Sequence, residues 1–126
     1  MKTRIQIEEK VINGALQLSG SKSISNRVLI IQAVSESINS IQNCSTSEDT
    51  GVLQKALSST EKIIDIGLAG TAMRFLTAYY ASRKSDVILT GSSRMKQRPI
   101  GVLVDALRVL GADISYTEKE GFPPLK

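Results

Sequence analysis

Apolar and polar positions alternate with a period of two over Thr3–Ile7, and again from Val11 to Leu18 on either side of Asn13-Gly14. That pattern predicts two short strands arranged as a hairpin. The pattern then changes. Val28-Leu29-Ile30-Ile31-Gln32-Ala33-Val34 is too apolar to be anything but a buried element, and a helix is predicted from near Ser23 to about Ser35. Ile38–Gln42, rich in β-branched residues, reads as a strand. Cys44–Asp49 carries overlapping Ser/Thr-x-x-Asp/Glu patterns, the capping-box signature of a helix start, and Val52, Leu53, Ala56 and Leu57 then share one helical face. Ile63–Ile66 is a further strand, ended by Gly67. Gly70 opens a helix that runs through Ala81, and Val87–Thr90 is a strand closed by Gly91. Pro99 suits a first helical position. Ile100, Leu103, Val104, Leu107 and Leu110 give amphipathic helical spacing, with Gly111 as the stop. Ala112–Tyr116 reads as a last strand, followed by a loop over residues 118–124.

Strands alternating with helices predict an α/β architecture. The 126 residues suffice for one ordinary domain. With two Phe, three Tyr and no Trp, the chain lacks the aromatic platforms that single-stranded nucleic acid requires. No His is present, which removes the commonest general base and metal ligand. A single Cys44 excludes an intrachain disulfide and speaks against a cysteine metal site. No signal-peptide pattern and no apolar run of membrane-spanning length is seen, so the expectation is a cytoplasmic protein that binds neither nucleic acid nor membrane. The net charge of +4 is modest and comes from local clusters of cations.

Those clusters define the candidate chemistry. Gly20-Ser21-Lys22-Ser23-Ile24-Ser25-Asn26-Arg27 joins a glycine turn to a helix start with one Lys, one Arg, three hydroxyls and no acid. A helix start already presents unpaired N–H groups and partial positive charge, so added cations oppose it unless an anion arrives from outside. The stretch is not a P-loop, in which Gly directly precedes Lys; here Ser21 does. Leu68-Ala69-Gly70-Thr71 is uncharged, but its glycine permits close backbone approach and Thr71 adds a hydroxyl. Arg94, Lys96 and Arg98 place three cations in five residues, with no acid between Asp86 and Asp105. Arg can grip a phosphate or carboxylate through two parallel hydrogen bonds. Each stretch taken alone also reads as an ordinary capped helix start or a solvated basic loop. Together they suggest Lys22, Arg27, Arg98 and the backbone at Gly70 meeting around one small polyanion. Arg74, a full turn into its helix, is a candidate for pairing with structure instead.

Gly20–Arg27, Ala69-Gly-Thr-Ala-Met-Arg74 and Arg94-Met-Lys-Gln-Arg-Pro-Ile-Gly101 resemble the EPSP synthase family, as do Val104–Arg108 and the closing Phe122–Lys126. The related UDP-N-acetylglucosamine enolpyruvyl transferases share the fold but carry a different first motif. The resemblance implies enolpyruvyl transfer from phosphoenolpyruvate to the 5-hydroxyl of shikimate 3-phosphate, with release of phosphate and without metal or organic cofactor. It implies that Lys22 touches both substrates, that Ser23 and Arg27 hold shikimate 3-phosphate, and that the Gly70 backbone and Arg98 hold phosphoenolpyruvate. Thr71 would border the phosphoenolpyruvate pocket, where glyphosate competes.

Three departures accompany the resemblance. Leu68 stands where the family usually has Asn, Phe75 stands where it usually has Pro, and the segment from Leu57 to Ile63 is short. The family is built of two lobes, each resembling three βαβαββ units. On that plan residues 1–19 belong with the other lobe, 20–92 form a first unit and 93–126 begin the next. The acids and lysines that move protons in the family fall outside this stretch, so no catalytic residue is assigned here. The expectation is a fragment that carries substrate-binding residues, inactive without the missing C-terminal part; a non-catalytic anion-binding module is the alternative.

Overall fold

Residues 3, 4, 13–83 and 85–126 are described by a computed structural model of the chain. In chain order the elements are α1 (Lys22–Ser35), α2 (Glu48–Ser58), β1 (Ile63–Asp65), α3 (Gly70–Ala81), β2 (Ile88–Thr90), a 3₁₀ turn (Met95–Gln97) and α4 (Gly101–Val109). No Gly or Pro interrupts α1, which ends at Glu36 in a left-handed conformation (φ 53°) with its N–H donating to the Gln32 carbonyl. Arg83 covers another end carbonyl of α1, its Nη2 donating to Ala33 O at 2.9 Å. β1 and β2 pair in parallel, Ile63 opposite Ile88 and Asp65 opposite Thr90, with α3 as the crossover between them. A parallel pair requires such a connection, and α3 supplies the apolar cover.

The core lies where α1, α2 and α3 pack together and α3 meets β2 and α4. Leu53, Ile66, Ala72, Leu76 and Val104 are fully buried, and burying each of the larger side chains contributes roughly 1.5–3 kcal/mol. A buried polar seam joins α1 to α2. Thr50 Oγ1 donates to Asn26 Oδ1 at 2.8 Å, and the Ser45 N–H donates to Ser25 Oγ at 2.9 Å. Asn26 Nδ2 has no partner among the described residues. Near the C-terminus, Leu125 exchanges both backbone hydrogen bonds with Leu89 (2.8 and 3.0 Å) and bridges Tyr116, so the two strands gain a narrow antiparallel border. The outer face of α4 is apolar and uncovered: Val102, Val109 and Leu110 are 89%, 87% and 83% exposed. Among the described residues no helix is long and apolar enough to cross a membrane.

All four helices and both central strands stand where the hydrophobic pattern puts them, but α1 is not the buried element its apolar run predicts, since only Leu29 of that run is buried and Ile31 and Val34 are exposed. Several other expectations do not hold. Residues 38–42 form no strand: Ile38 is exposed, and the chain turns at Asn43, which takes a φ of 49°. Among the described residues no strand lies beside the β-branched run, which is irregular. Residues 112–116 reduce to a bridge at Tyr116: pairing begins only at Ser115, which exchanges both backbone hydrogen bonds with Lys126 at 2.8 Å, while on the opposite edge the Ile114 carbonyl accepts from Arg108 Nε and Nη2 at 3.0 and 2.7 Å. Residues 13–18 are exposed and irregular rather than a strand; the rest of the expected hairpin, 5–12, lies outside the described residues. Pro99 stands ahead of α4 and not in its first position, since Ile100 is the N-cap. The capping box is also unmade, as Ser47 Oγ pairs with Thr50 Oγ1 at 2.9 Å instead of with a backbone N–H.

Tyr80 ties α3 to α2 by donating its hydroxyl to Ala56 O at 3.1 Å. Partial burial raises its pKa, with Tyr79 adding to the effect. The Tyr80→Phe variant is expected to lose about 1 kcal/mol in urea unfolding at neutral pH. A raised phenol pKa contributes stability that is complete below the ordinary value of 10.0 and lost as pH climbs through the folded value. The gap between wild type and variant therefore narrows above pH 10, and a constant gap would contradict the assignment.

Candidate anion-binding site

The first helix start is sewn down on one side and open on the other. A Cβ at Gly20 would collide with the Asn43 carbonyl, so only glycine lets the turn pass beneath the 43–45 backbone. Ser25 and Asn26 face inward, leaving Lys22, Ser23 and Arg27 exposed. The N-cap Ser21 makes no side-chain hydrogen bond, and no acid lies in the first turn of α1. Lys22 Nζ donates to Asp49 Oδ2 at 3.3 Å. Arg27 Nη1 donates to Ser23 O at 2.8 Å, and its guanidinium carbon stands 5.8 Å from the centre of the Phe75 ring on α3.

The second and third stretches meet directly. A Cβ added to Gly70 would lie 2.9 Å from Arg98 Cζ and closer still to Nη1, so the guanidinium rests where any other residue would place a side chain. The N-cap Ala69 offers no side-chain acceptor, and no acid lies in the first turn of α3. Arg98 follows the 3₁₀ turn in extended conformation (ψ 122°). It is therefore not in a helix start, contrary to the sequence pattern, but reaches that of α3 from the side. Arg74 does pair with structure: Nη2 donates to Pro99 O at 3.2 Å and Nη1 to Gly70 O at 3.5 Å. The same strut holds the 98–99 backbone against α3. Lys96 pairs with Glu118 at 2.6 Å, while Arg94 is exposed. Thr71, half-buried, follows Gly70.

Of the predicted residues, Gly70 and Arg98 are in contact, and Arg27 reaches α3 through Phe75, one turn beyond Thr71. Lys22 is joined to α2 instead, through Asp49. Asp49 was legible only as a helix-start acid and Phe75 only as a bulky departure; neither carried a signal of its pairing. The site is an open, cationic surface along the start of α3. Three cavities of about 580, 380 and 660 Å³ are lined by none of Lys22, Arg27, Gly70 or Arg98. Among the described residues no cluster of three or more Cys, Asp or Glu is placed to hold a metal. The arrangement suits an anion carrying more than one charge, because helix-start N–H groups and guanidinium donors then act together.

Comparison with known proteins points the same way. The model of the EPSP synthase (3-phosphoshikimate 1-carboxyvinyltransferase) family matches residues 7–59 and 51–126. A 3-phosphoshikimate 1-carboxyvinyltransferase of Bacteroides fragilis is 54% identical over 115 residues, covering 91% of this chain and 28% of the relative. One from Pectobacterium carotovorum is 42% identical over 143 residues, covering 93% and 33%. The solved EPSP synthase of Acinetobacter baumannii superposes with a TM-score of 0.73 at 23% identity, over 89% of this chain and 31% of that one. The chain thus spans about a third of the length of these relatives. The two pieces of the family match meet over residues 51–59, beside the short link from α2 to β1.

Gly70→Ala tests the geometry. The clashing atoms are the far end of a flexible side chain, so unfolding free energy should change by less than about 1 kcal/mol. Arg98 must leave its seat, and its guanidinium NMR signals should shift strongly. Unmoved Arg98 signals in a folded variant would show that the contact is not made.

Proposed function

The chain belongs to the EPSP synthase family, and on that premise we propose that it carries parts of two substrate sites for enolpyruvyl transfer from phosphoenolpyruvate to the 5-hydroxyl of shikimate 3-phosphate. This is the shikimate-pathway reaction that serves aromatic amino acid synthesis. The observation that carries the reading is the Arg98 guanidinium seated on the bare backbone of Gly70, at a helix start without cap or acid. Phosphoenolpyruvate bears a phosphate and a carboxylate, and that pairing of N–H groups with a guanidinium matches it. Shikimate 3-phosphate falls to Ser23 and Arg27 at the start of α1. Lys22 reaches both substrates once it leaves Asp49. That exchange is cheap, because an ion pair this exposed is worth about 1 kcal/mol or less. Bringing two phosphorylated, carboxylated substrates together requires such opposing charge at close range. Thr71 borders the phosphoenolpyruvate site.

Residues 1–19 we assign to the other lobe, 20–92 to a first unit and 93–126 to the opening of the next. The exposure of Leu16 and Leu18 supports the first of these assignments. The groups that move protons would come from the other two-thirds of the family fold, so the 126 residues alone turn over no substrate. The half-buried, unpaired Cys44 fits a reducing cytoplasm.

The test joins this chain to the remainder of the Bacteroides fragilis relative, of which it covers 28%, and follows phosphate release. A folded chimera should turn over both substrates, and Lys22→Ala should cost about 2 kcal/mol, roughly 30-fold, in binding of each. A folded chimera that binds neither substrate would overturn the reading.

A further inference from the structure

Six cations among the described residues are paired with acids. Lys22, Lys62, Arg83, Lys96, Arg108 and Lys126 each have a carboxylate within 4.0 Å. Arg27 has none. Its guanidinium is fixed by one hydrogen bond to Ser23 O at 2.8 Å and by the Phe75 ring at 5.8 Å. The other two arginines that stand over a ring, Arg83 on Tyr79 and Arg108 on Tyr116, also carry an acid. The difference has a chemical consequence. A carboxylate takes N–H donors and cancels charge, so an incoming anion must displace it. An aromatic face attracts the cation through its quadrupole and uses no N–H donor. Among the described residues, Arg27 spends one of its five donors and meets no carboxylate.

Phe75 is also well placed along α3. It lies four residues after Thr71 on the same helical face, so the ring that meets Arg27 belongs to the face of α3 that Thr71 opens. A side chain without a π face would fill the space yet leave the guanidinium held only by its hydrogen bond to Ser23 O. We propose that Phe75 is a positioning residue that holds Arg27 with its donor edge presented to an anion. The assignment of shikimate 3-phosphate as that anion rests on the function proposed above; the positioning itself does not.

The test uses the 126-residue chain, with Arg27 Nε–Hε signals followed by NMR during separate titrations with inorganic phosphate and shikimate 3-phosphate. Three replacements at position 75 are compared: Phe75→Leu, Phe75→Tyr and pentafluorophenylalanine, which keeps the shape and inverts the quadrupole. The first and third should lose the ring-current shift of Arg27 and weaken phosphate binding about two- to fivefold. Tyr should retain both, and in an Arg27→Ala background no replacement should matter. Should Phe75→Leu unfold, the isosteric fluorinated ring gives the same reading. Equal phosphate affinity in all four proteins would overturn the proposal, as would losses of equal size with and without Arg27. So would a wild-type chain whose Arg27 responds to neither ligand. A response to phosphate but not to shikimate 3-phosphate would support the positioning role and count against the substrate assignment.

Discussion

A guanidinium resting on a backbone that has no side chain is the contact on which the rest of this surface depends. Arg98 can occupy that position only because Gly70 has no Cβ, and it stands at the positive end of α3. Placing a cation there is unfavourable by about 0.3–1 kcal/mol, and Ala69 provides no cap to soften it. α1 repeats the arrangement with Lys22 as its first residue. α2, by contrast, begins with Glu48 and Asp49, the ordinary way to satisfy a helix start. The molecule therefore tolerates local electrostatic opposition on one surface, and the packing of Leu53, Leu76 and Val104 behind it offsets the cost.

Cations divide between holding and presenting. Arg74 bonds the Pro99 and Gly70 carbonyls, Arg108 the Ile114 carbonyl and Arg83 the Ala33 carbonyl. These arginines brace loops and helix ends, where five fixed donors reach carbonyls that no ladder satisfies. Arg27 and Arg98 are braced by contacts that leave most donors open. The division explains how a chain of modest net charge, +4, can still present two open guanidinium groups beside α3.

Helices were legible because their apolar periodicity is local: Leu53 and Ala56, Met73 and Leu76, or Ile100 and Val104 declare a face within one turn. β1 and β2 were legible as β-branched runs next to glycines. Strands at 38–42 and 112–116 were not, because pairing depends on a distant partner. Ile38 meets none among the described residues, and 112–116 pairs only at its far end, where Ser115 exchanges hydrogen bonds with Lys126. The site shows the same contrast. Gly70 and Arg98 stood out as residue types suited to anions, yet that one sits on the other is a tertiary fact. Asp49 and Phe75 were invisible as partners of Lys22 and Arg27, since nothing within a few residues of either marks the pairing.

The bare flank of α4 has a practical corollary for anyone handling the chain. Val104 is inside, yet Val102, Val109 and Leu110 meet water on the opposite side, beside the exposed Asp105, so an apolar stripe lies open on the flank that usually carries polar residues. Such a stripe makes the peptide sticky: concentrating it, or adding strongly salting-out anions such as sulfate, favours clumping over dispersal. Low-sulfate buffers and dilute handling suit it best.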